Sequence, residues 1–522
     1  MKICHIFSGV IELKSNKIRL VSLIIILFFM VSAVNGYDGS YASSSKVDKK
    51  PVQKINKKTA TVKAGQSVQL KVKNLKKKKK DGKYKIPKIK WRSSDEKIAT
   101  VSKTGNVRTL RIGKATITAK VGKKKYKCVI TTTYPNYSIS AKSKPIDPKL
   151  KKNYAYNKYT NNYFTIRSYL ELFERCKGGT LTINAGKYDI CNALYVPSNV
   201  TIILNSGAEL RKTFKTGSSL VAPKGMFYMC APSRGKACLD YKKGKYKNAY
   251  KEYKGVKNVR LIGYGTATIN NQNKQDAISI IMGHNDNITV SNITFRNMNY
   301  GHFIELNSSK NVTISGCTFM DGKGDKEAIG VDTTDLKTGG FNCNWSSFDG
   351  TSAKDATIVN NKFRNLYTAI GSHSYTKDKP HTNIKVTNNN IEGMKSDGIS
   401  TMHWKNCEIS GNTIKDVRKN GSGRGIKGAG TVNLTISGNT FSNMDRVAQF
   451  YPVKKHGYNT IYPDISEKNL HALCDTNTFL WDSIGSDQVR INEWNEIKGT
   501  TAWENYTAWN IITKEITKVG YP

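Results

Sequence analysis

Glu305, Asp332, His373, Arg424 and Lys427 are the residues whose types could do chemistry together, and each stands in a short segment built around an isoleucine. The segments HFIELNS, EAIGVDTTD, TAIGSHS, DGISTMHW and RGIKG align on Ile304, Ile329, Ile370, Ile399 and Ile426. Strand side chains alternate between faces, so an inward Ile turns the first and third residues after it outward. The outward set is then Glu305, Asn307, Asp332, His373, Ser400, Met402 and Lys427, with His403 beside it. In neighbouring parallel strands, Asn307, Asp332 and His373 share a column with about 4.8 Å per step. That is close enough for a charged His–Asp contact. Glu305 and Asp332, one strand and two residues apart, have Cα atoms about 8 Å from each other. Two carboxyl groups so placed can flank a glycosidic bond, one protonating the leaving oxygen while the other activates water.

Other residues enter through the loops. Thr333 to Lys354 is extra length carrying Asp335, Trp345, Phe348 and Asp349. Aromatic faces stack on sugar rings, so this loop reads as one wall of a cleft, with Asp349 as a further carboxylate. The competing reading of the same aromatics is a hydrophobic plug. His302, Glu327, Asp397 and Arg424 stand two positions before the isoleucines, where a turn meets a strand, and read as turn or ion-pair residues.

The elements that must position these groups repeat. NITVSNITF from Asn287, NVTISGCTF from Asn311, DATIVNNKF from Asp355, NIKVTNNNI from Asn383, NCEISGNTI from Asn406 and NLTISGNTF from Asn433 are one pattern, at intervals of 24, 44, 28, 23 and 27 residues. Strand-like repeats of this length, punctuated by Asn and Gly, make a solenoid whose coils bury their apolar faces on one another. The doubled interval is the long loop already named. The seventh position reads Ile293, Cys317, Asn361, Asn389, Asn412, Asn439, which predicts a ladder of stacked amides. A right-handed parallel β-helix is the expected fold.

The segment YFTIRSYLELFERCKGGTLTINAGKYDICNALYVPSNVTIILNSGAEL from Tyr163, followed by NVRLIGYGTATIN from Asn258, resembles the capping helix and first coils of the pectate lyase and polygalacturonase-like superfamily. The resemblance runs over residues 163 to 450. Polygalacturonases present an Asn-x-Asp strand, an Asp-Asp pair one coil on, a Gly-His-Gly and then an Arg-Ile-Lys. This chain offers Glu305 and Asn307, then Asp332, then His373 within GSHS, then Arg424 and Lys427 within RGIK. It departs by lacking the adjacent Asp pair and the flanking glycines, and by one extra coil before RGIK. The reading that follows is glycoside hydrolysis of a polysaccharide without metal or cofactor. Asp332 is its general acid, Glu305 its water-activating base, and His373 holds the proton state of Asp332. Asn307, Arg424, Lys427, His403, Trp345 and Asp349 are expected on substrate. A lyase on the same scaffold is the first rival, with Lys427, Arg424 or His373 as base and Ca2+, if used, held by Asp332, Asp335 and Asp349. A non-catalytic surface adhesin or glycan-binding protein is the second.

The 522-residue chain has 84 Lys and Arg against 38 Asp and Glu, a net charge of +46. The excess is concentrated in residues 1–150, which hold 36 basic and 7 acidic residues. Such a surface attracts polyanions. No zinc-finger spacing, helix-turn-helix pattern or RNP-like strand points to nucleic acid, so an anionic polysaccharide or wall polymer is the expected partner. Residues 1–36 read as a cleaved export signal, giving a secreted or cell-surface protein with no membrane partner after cleavage. Residues 37–53 read as a linker and 54–134 as a β-sandwich whose Trp91, Ser93, Ser94, Asp95, Gly105, Gly113 and Ala115 to Ala119 resemble the bacterial Ig-like domain. Its lysine run Lys76 to Lys80 is a candidate polyanion clamp. Residues 135–162 read as a second linker and 163–522 as the β-helix domain. Cys176 with Cys191 and Cys230 with Cys238 could form local disulfides, with buried free thiols the alternative.

Overall fold

The computed structural model describes residues 52–75, 78–80, 83–420 and 422–454, with short pieces at 460–463, 476–479, 489–492 and 508–510. The expected signal segment, His456 and His471 lie outside the described residues, as do Lys76 and Lys77 of the lysine run.

Alternating apolar residues between glycine turns build the N-terminal sandwich. Thr59–Lys63, Ile89–Ser93, Gly113–Val121 and Lys124–Thr133 form one sheet, while Ser67–Gln69, Ala99–Val101 and Asn106–Thr109 form the other. Val107, Ala115, Ile117, Cys128 and Ile130 are buried between them, and Trp91 packs on this core. Gly105 has φ +83°, and a Cβ there would lie 2.6 Å from the Trp91 ring and 2.5 Å from the Leu70 carbonyl oxygen. Only glycine fits that turn.

Residues 135–162 are not a free linker. Asn136–Ile139 pairs in parallel with Gly179–Ile183 and so opens the first coil of the solenoid. Tyr137 packs against Tyr169, with ring centroids 5.0 Å apart, and its hydroxyl donates to the Ala64 carbonyl at 2.6 Å. The aromatic and aliphatic residues of this segment find buried partners on both sides, which an exposed tether would not offer. Next comes helix α1 (Asn161–Cys176), whose Ile166, Leu170 and Phe173 recur at the spacing of one helical face and are buried. It lies across the open end of the solenoid and ends at Lys177, which adopts φ +60°. The Gly178 amide then donates back to the Phe173 carbonyl at 2.9 Å, satisfying one of the last turn's acceptors.

The coils stack as a parallel β-helix. One ten-stranded sheet runs from Asn136–Ile139 to Val432–Ser437, and a longer second sheet carries the isoleucine segments. The repeated pattern supplies a strand of the first sheet, a turn, and a strand of the second. The sixth position makes that turn with positive φ at Asn292, Gly316, Asn360, Asn388, Gly411 and Gly438, the residue types that tolerate it. The seventh-position ladder forms as expected. Each amide donates to the next, Asn361 to Asn389, Asn389 to Asn412 and Asn412 to Asn439, at 2.9–3.0 Å, and Asn477 extends the run. Beside it Phe295, Phe319 and Phe363 stack with centroids 4.9 Å apart. The cysteines of the described residues, among them Cys176, Cys191, Cys230 and Cys238, are buried free thiols.

Candidate functional site

The isoleucines are in register, Ile304 with Ile329, then Ile370, Ile399 and Ile426. The position after them therefore forms the column Glu305, Gly330, Gly371, Ser400, Lys427. Asn307 and Asp332 are paired in the column two residues further on, and His373 meets Asp332 at the end of the next strand.

The two glycines let in side chains that the spacing alone assigned to turns. His302 crosses Gly330, where a Cβ would sit 3.3 Å from its Nδ1. Glu327 crosses Gly371, where a Cβ would lie 2.6 Å from its Cγ. Both thus lean over the sheet and join the outward cluster. A glycine directly after the isoleucine of the following coil is the signal that could have found them.

His373 Nδ1 lies 3.1 Å from Asp332 Oδ2 and 3.4 Å from Glu327 Oε2. Asp332 Oδ1 accepts the backbone N–H groups of His373 at 2.8 Å and Ser374 at 2.7 Å. His302 Nδ1 donates to the Glu327 carbonyl oxygen at 2.7 Å, and its ring lies parallel to that of His373, with centroids 5.6 Å apart. Asn307 reaches Glu305 Oε2 only at 3.5 Å.

These contacts separate the carboxyl groups electrostatically. Burial raises the Glu305 carboxyl above its ordinary value; the His302 charge opposes this, the Asp332 charge adds to it, and His373 opposes it less. Burial would also raise Glu327, but the hydrogen bond and charge of His373 outweigh it and bring it down to about 2. The Asp332 charge is the main cause that raises His373 to about 9, with Glu327 adding to it against desolvation. With 42% of its side chain exposed, His373 also meets water, which screens part of this attraction. The cluster thus sets the raised His373 imidazole between Asp332 and the lowered Glu327, next to Glu305, whose burial disfavours its charged form.

Beyond the cluster the column turns cationic. Arg424 Nε is 2.5 Å from Asp397 Oδ1, and its guanidinium also donates to Gln449 at 3.2 Å. Lys427 lies over the Tyr451 ring at 5.7 Å, and burial lowers its pKa against the pull of Asp397.

Three expected substrate contacts sit elsewhere. Trp345, 2% exposed, packs between Tyr228 and Phe341 at 5.1 and 5.4 Å, so it acts as the plug of its loop and not as an open sugar platform. Asp349 accepts from the Glu252 and Thr351 amides at 2.8 and 3.1 Å, which makes it an organiser of the loop. His403 meets Tyr375 edge-on at 5.4 Å, and burial lowers it to about 4, a neutral support for the segment that follows His373. In each case the apolar or backbone partners that the fold supplies hold the group away from the outward column.

Nor do Asp332, Asp335 and Asp349 converge into an oxygen cage. Asp335 accepts from the Lys337 amide of its own loop and from the Thr376 hydroxyl of the next coil, each at 2.7 Å. Among the described residues, the one group of metal-capable side chains converging within 4.8 Å is His302, Glu327 and His373. The two rings of that group are within 5° of parallel. Their nitrogen lone pairs lie in separate planes, so a shared ion would require one ring to rotate.

Residues 51–130 match the bacterial Ig-like domain (group 2), and residues 257–414 match the right handed beta helix region. The chain carries both architectures in that order. It is 29% identical over 182 residues to the plasmin and fibronectin-binding protein A of Streptococcus pneumoniae, covering 31% of this chain and 25% of that protein. The chain thus spans about a quarter of the length of the curated relative it matches. Among solved structures, a surface adhesin of Streptococcus pneumoniae is similar at 16% identity, TM-score 0.44, over 70% of this chain and 89% of that one. A family 28 exopolygalacturonase of Yersinia enterocolitica is similar at 14% identity, TM-score 0.40, over 73% and 83%. Likenesses this distant carry no activity across. Among the described residues no helix is long and apolar enough to cross a membrane.

Proposed function

We propose that the protein is a carbohydrate-active enzyme that hydrolyses glycosidic bonds of an anionic polysaccharide, working outside the cell or at its surface. The observation that carries this reading is the convergence of Glu305, Glu327, Asp332, His302 and His373 on the outward face of the solenoid, beside the cationic Arg424 and Lys427. A face with only a structural task has no need to gather three carboxyl groups and two imidazoles against one another.

The surroundings favour exchanging the roles that spacing alone suggests. Glu305, whose proton is favoured by burial, is the general acid: it gives that proton to the leaving glycosidic oxygen as the C1–O bond breaks. Asp332, whose Oδ1 accepts two backbone amides and whose Oδ2 faces His373, is the base that takes a proton from the attacking water. A Cα separation of about 8 Å, from one strand step and two residues, leaves room for that water, as inversion requires. His373, itself paired with Glu327, orients the Asp332 carboxyl group, and Lys427 with Arg424 holds substrate carboxylates. Glu305→Gln and Asp332→Asn should each slow release of reducing ends from a susceptible polyanion by about 10²–10⁴-fold. Full activity in both would refute the assignment.

A second reading has its own support in the curated Streptococcus pneumoniae relative, named for binding plasmin and fibronectin. On it the chain is a surface binding protein whose outward column holds glycan or protein without turnover. Tight binding of a polysaccharide that stays intact, assayed for both reducing ends and unsaturated products, would favour this over hydrolysis or elimination.

A further inference from the structure

The outward column does not begin at Glu305. Tyr195 pairs with Tyr228, Tyr228 with Ile281, and Ile281 with Glu305, so the same row of side chains continues toward the N-terminal end of the solenoid. Along that stretch it is covered. The loop 333–353 leaves the strand of Asp332 and turns back over the preceding coils. Its Phe341 ring fills the space above Gly283, where a Cβ would be 2.8 Å from Cζ. Gly283 is the partner of Asn307 one strand away and shares a column with Asp332. Trp345 sits on Tyr228 and Tyr195 at 5.1 and 6.3 Å.

The loop is tied down at several points. The Tyr250 amide donates to the Trp345 carbonyl at 2.7 Å, buried His284 bonds Ser346 at 2.7 Å, and the Thr334 amide donates to Ser308 Oγ at 2.9 Å. A cavity of about 400 Å³ on the N-terminal side has Tyr195, Tyr228, Cys343 and Trp345 in its wall, and none of Glu305, Asp332 or His373. On the other side His373 keeps 42% of its side chain exposed, although the loop's Gly340 and Gly350 pack on Ser374 and Thr376 just after it. The nearest atoms over Gly330 and Gly371 belong to His302, Asp332, Glu327 and Ser400, all members of the outward face, and no residue of loop 333–353 is among them. Lys427 follows four strands from Glu305, roughly 19 Å away at about 4.8 Å per step.

From this asymmetry we propose that loop 333–353 closes the groove beside Glu305, so that the site receives the end of a polyanionic chain and not its middle. The chain lies along the side of His373, its charged groups toward Lys427 and Arg424, and the terminal unit abuts the loop where Phe341 covers Gly283. The inference rests on the hydrolase reading for its products but on geometry alone for its mode of binding, and the two can be tested apart.

Polygalacturonate is a suitable first probe, in long and short preparations of known mean length, with the full chain as it exists. Calorimetric stoichiometry of the Glu305→Gln variant reads binding without turnover. End recognition gives one protein per polymer chain at every length. An open groove would bind in proportion to length, about tenfold more protein on a chain tenfold longer, and would overturn the proposal. With active protein, end recognition releases one product size from the first time point, while viscosity falls late. An early ladder of oligomers with an early viscosity drop overturns the proposal and leaves hydrolysis standing. Length-independent binding without any product would support the closed groove while removing the hydrolase reading. Phe341→Ala, which clears the space over Gly283, should add longer products to the single one, and an unchanged single product from a folded variant counts against the loop as the barrier.

Discussion

His373 is the residue on which the local electrostatics turn. Its imidazolium contributes stability fully below its ordinary pKa of 6.5, and that contribution is lost as pH rises through about 9. Glu327 contributes above its ordinary 4.5 and loses its contribution as pH falls through about 2. Both are therefore complete between pH 4.5 and 6.5. Unfolding temperatures of wild type and His373→Gln should differ most in that window and converge by about pH 9, with a smaller difference at high salt because the side chain is partly exposed. A difference that grows toward pH 9 would contradict the charged contact. At the same scale, Glu305→Gln and Asp332→Asn should lower kcat/KM by about 10²–10⁴-fold with unfolding curves close to wild type, measured on whichever polysaccharide supports turnover. Gly371→Ala would push the Glu327 side chain off its shelf, so it should lose activity together with the pH dependence attributed to His373.

The asparagine ladder belongs to the scale of the element. Each buried amide bonds the coils on both sides, so removing one leaves neighbouring groups unsatisfied. Asn389→Ala should cost about 1–3 kcal/mol in denaturant unfolding. The loss should exceed that of an exposed polar substitution such as Lys385→Ala. Phe319→Ala, at the centre of the aromatic stack, should cost about 3–5 kcal/mol. These ladders were legible in the sequence because a solenoid brings equivalent positions of successive repeats into contact, and the nine-residue pattern displays those positions directly. The isoleucine register was legible for the same reason. His302 and Glu327 were harder to see: which way a residue at a strand edge leans depends on the size of its neighbour one coil later, and Gly330 and Gly371 decide it.

Across the whole molecule, the sandwich and the solenoid share apolar contacts. Ala64 is buried in the same cluster as helix α1, and a Cβ on Gly65 would lie 2.7 Å from Leu172 and 2.9 Å from Ile146. Arg108 donates to the Ile146 carbonyl at 2.9 Å, and Lys63 to the Asn136 carbonyl at 2.7 Å. A chain lacking residues 53–133 should therefore unfold at a lower temperature, because it uncovers Leu172, Ile146 and Tyr137 to water. An unchanged melting profile would mean that these contacts contribute nothing to the stability of the solenoid. The net charge of +46 adds a prediction of its own: affinity for any polyanion should fall as salt rises.

The sequence by itself determined the repeat, the register of its coils, and the presence of Glu305, Asp332 and His373 on one outward face. These follow from contacts between each coil and the next, which a periodic pattern records. Only the tertiary structure decided that His302 and Glu327 join them, that burial raises the Glu305 carboxyl, and that loop 333–353 turns back over the preceding coils with Trp345 buried. Desolvation and the path of a long loop depend on which distant surfaces it meets, such as Tyr228, Gly283 and Tyr250, and no period in the chain encodes those meetings.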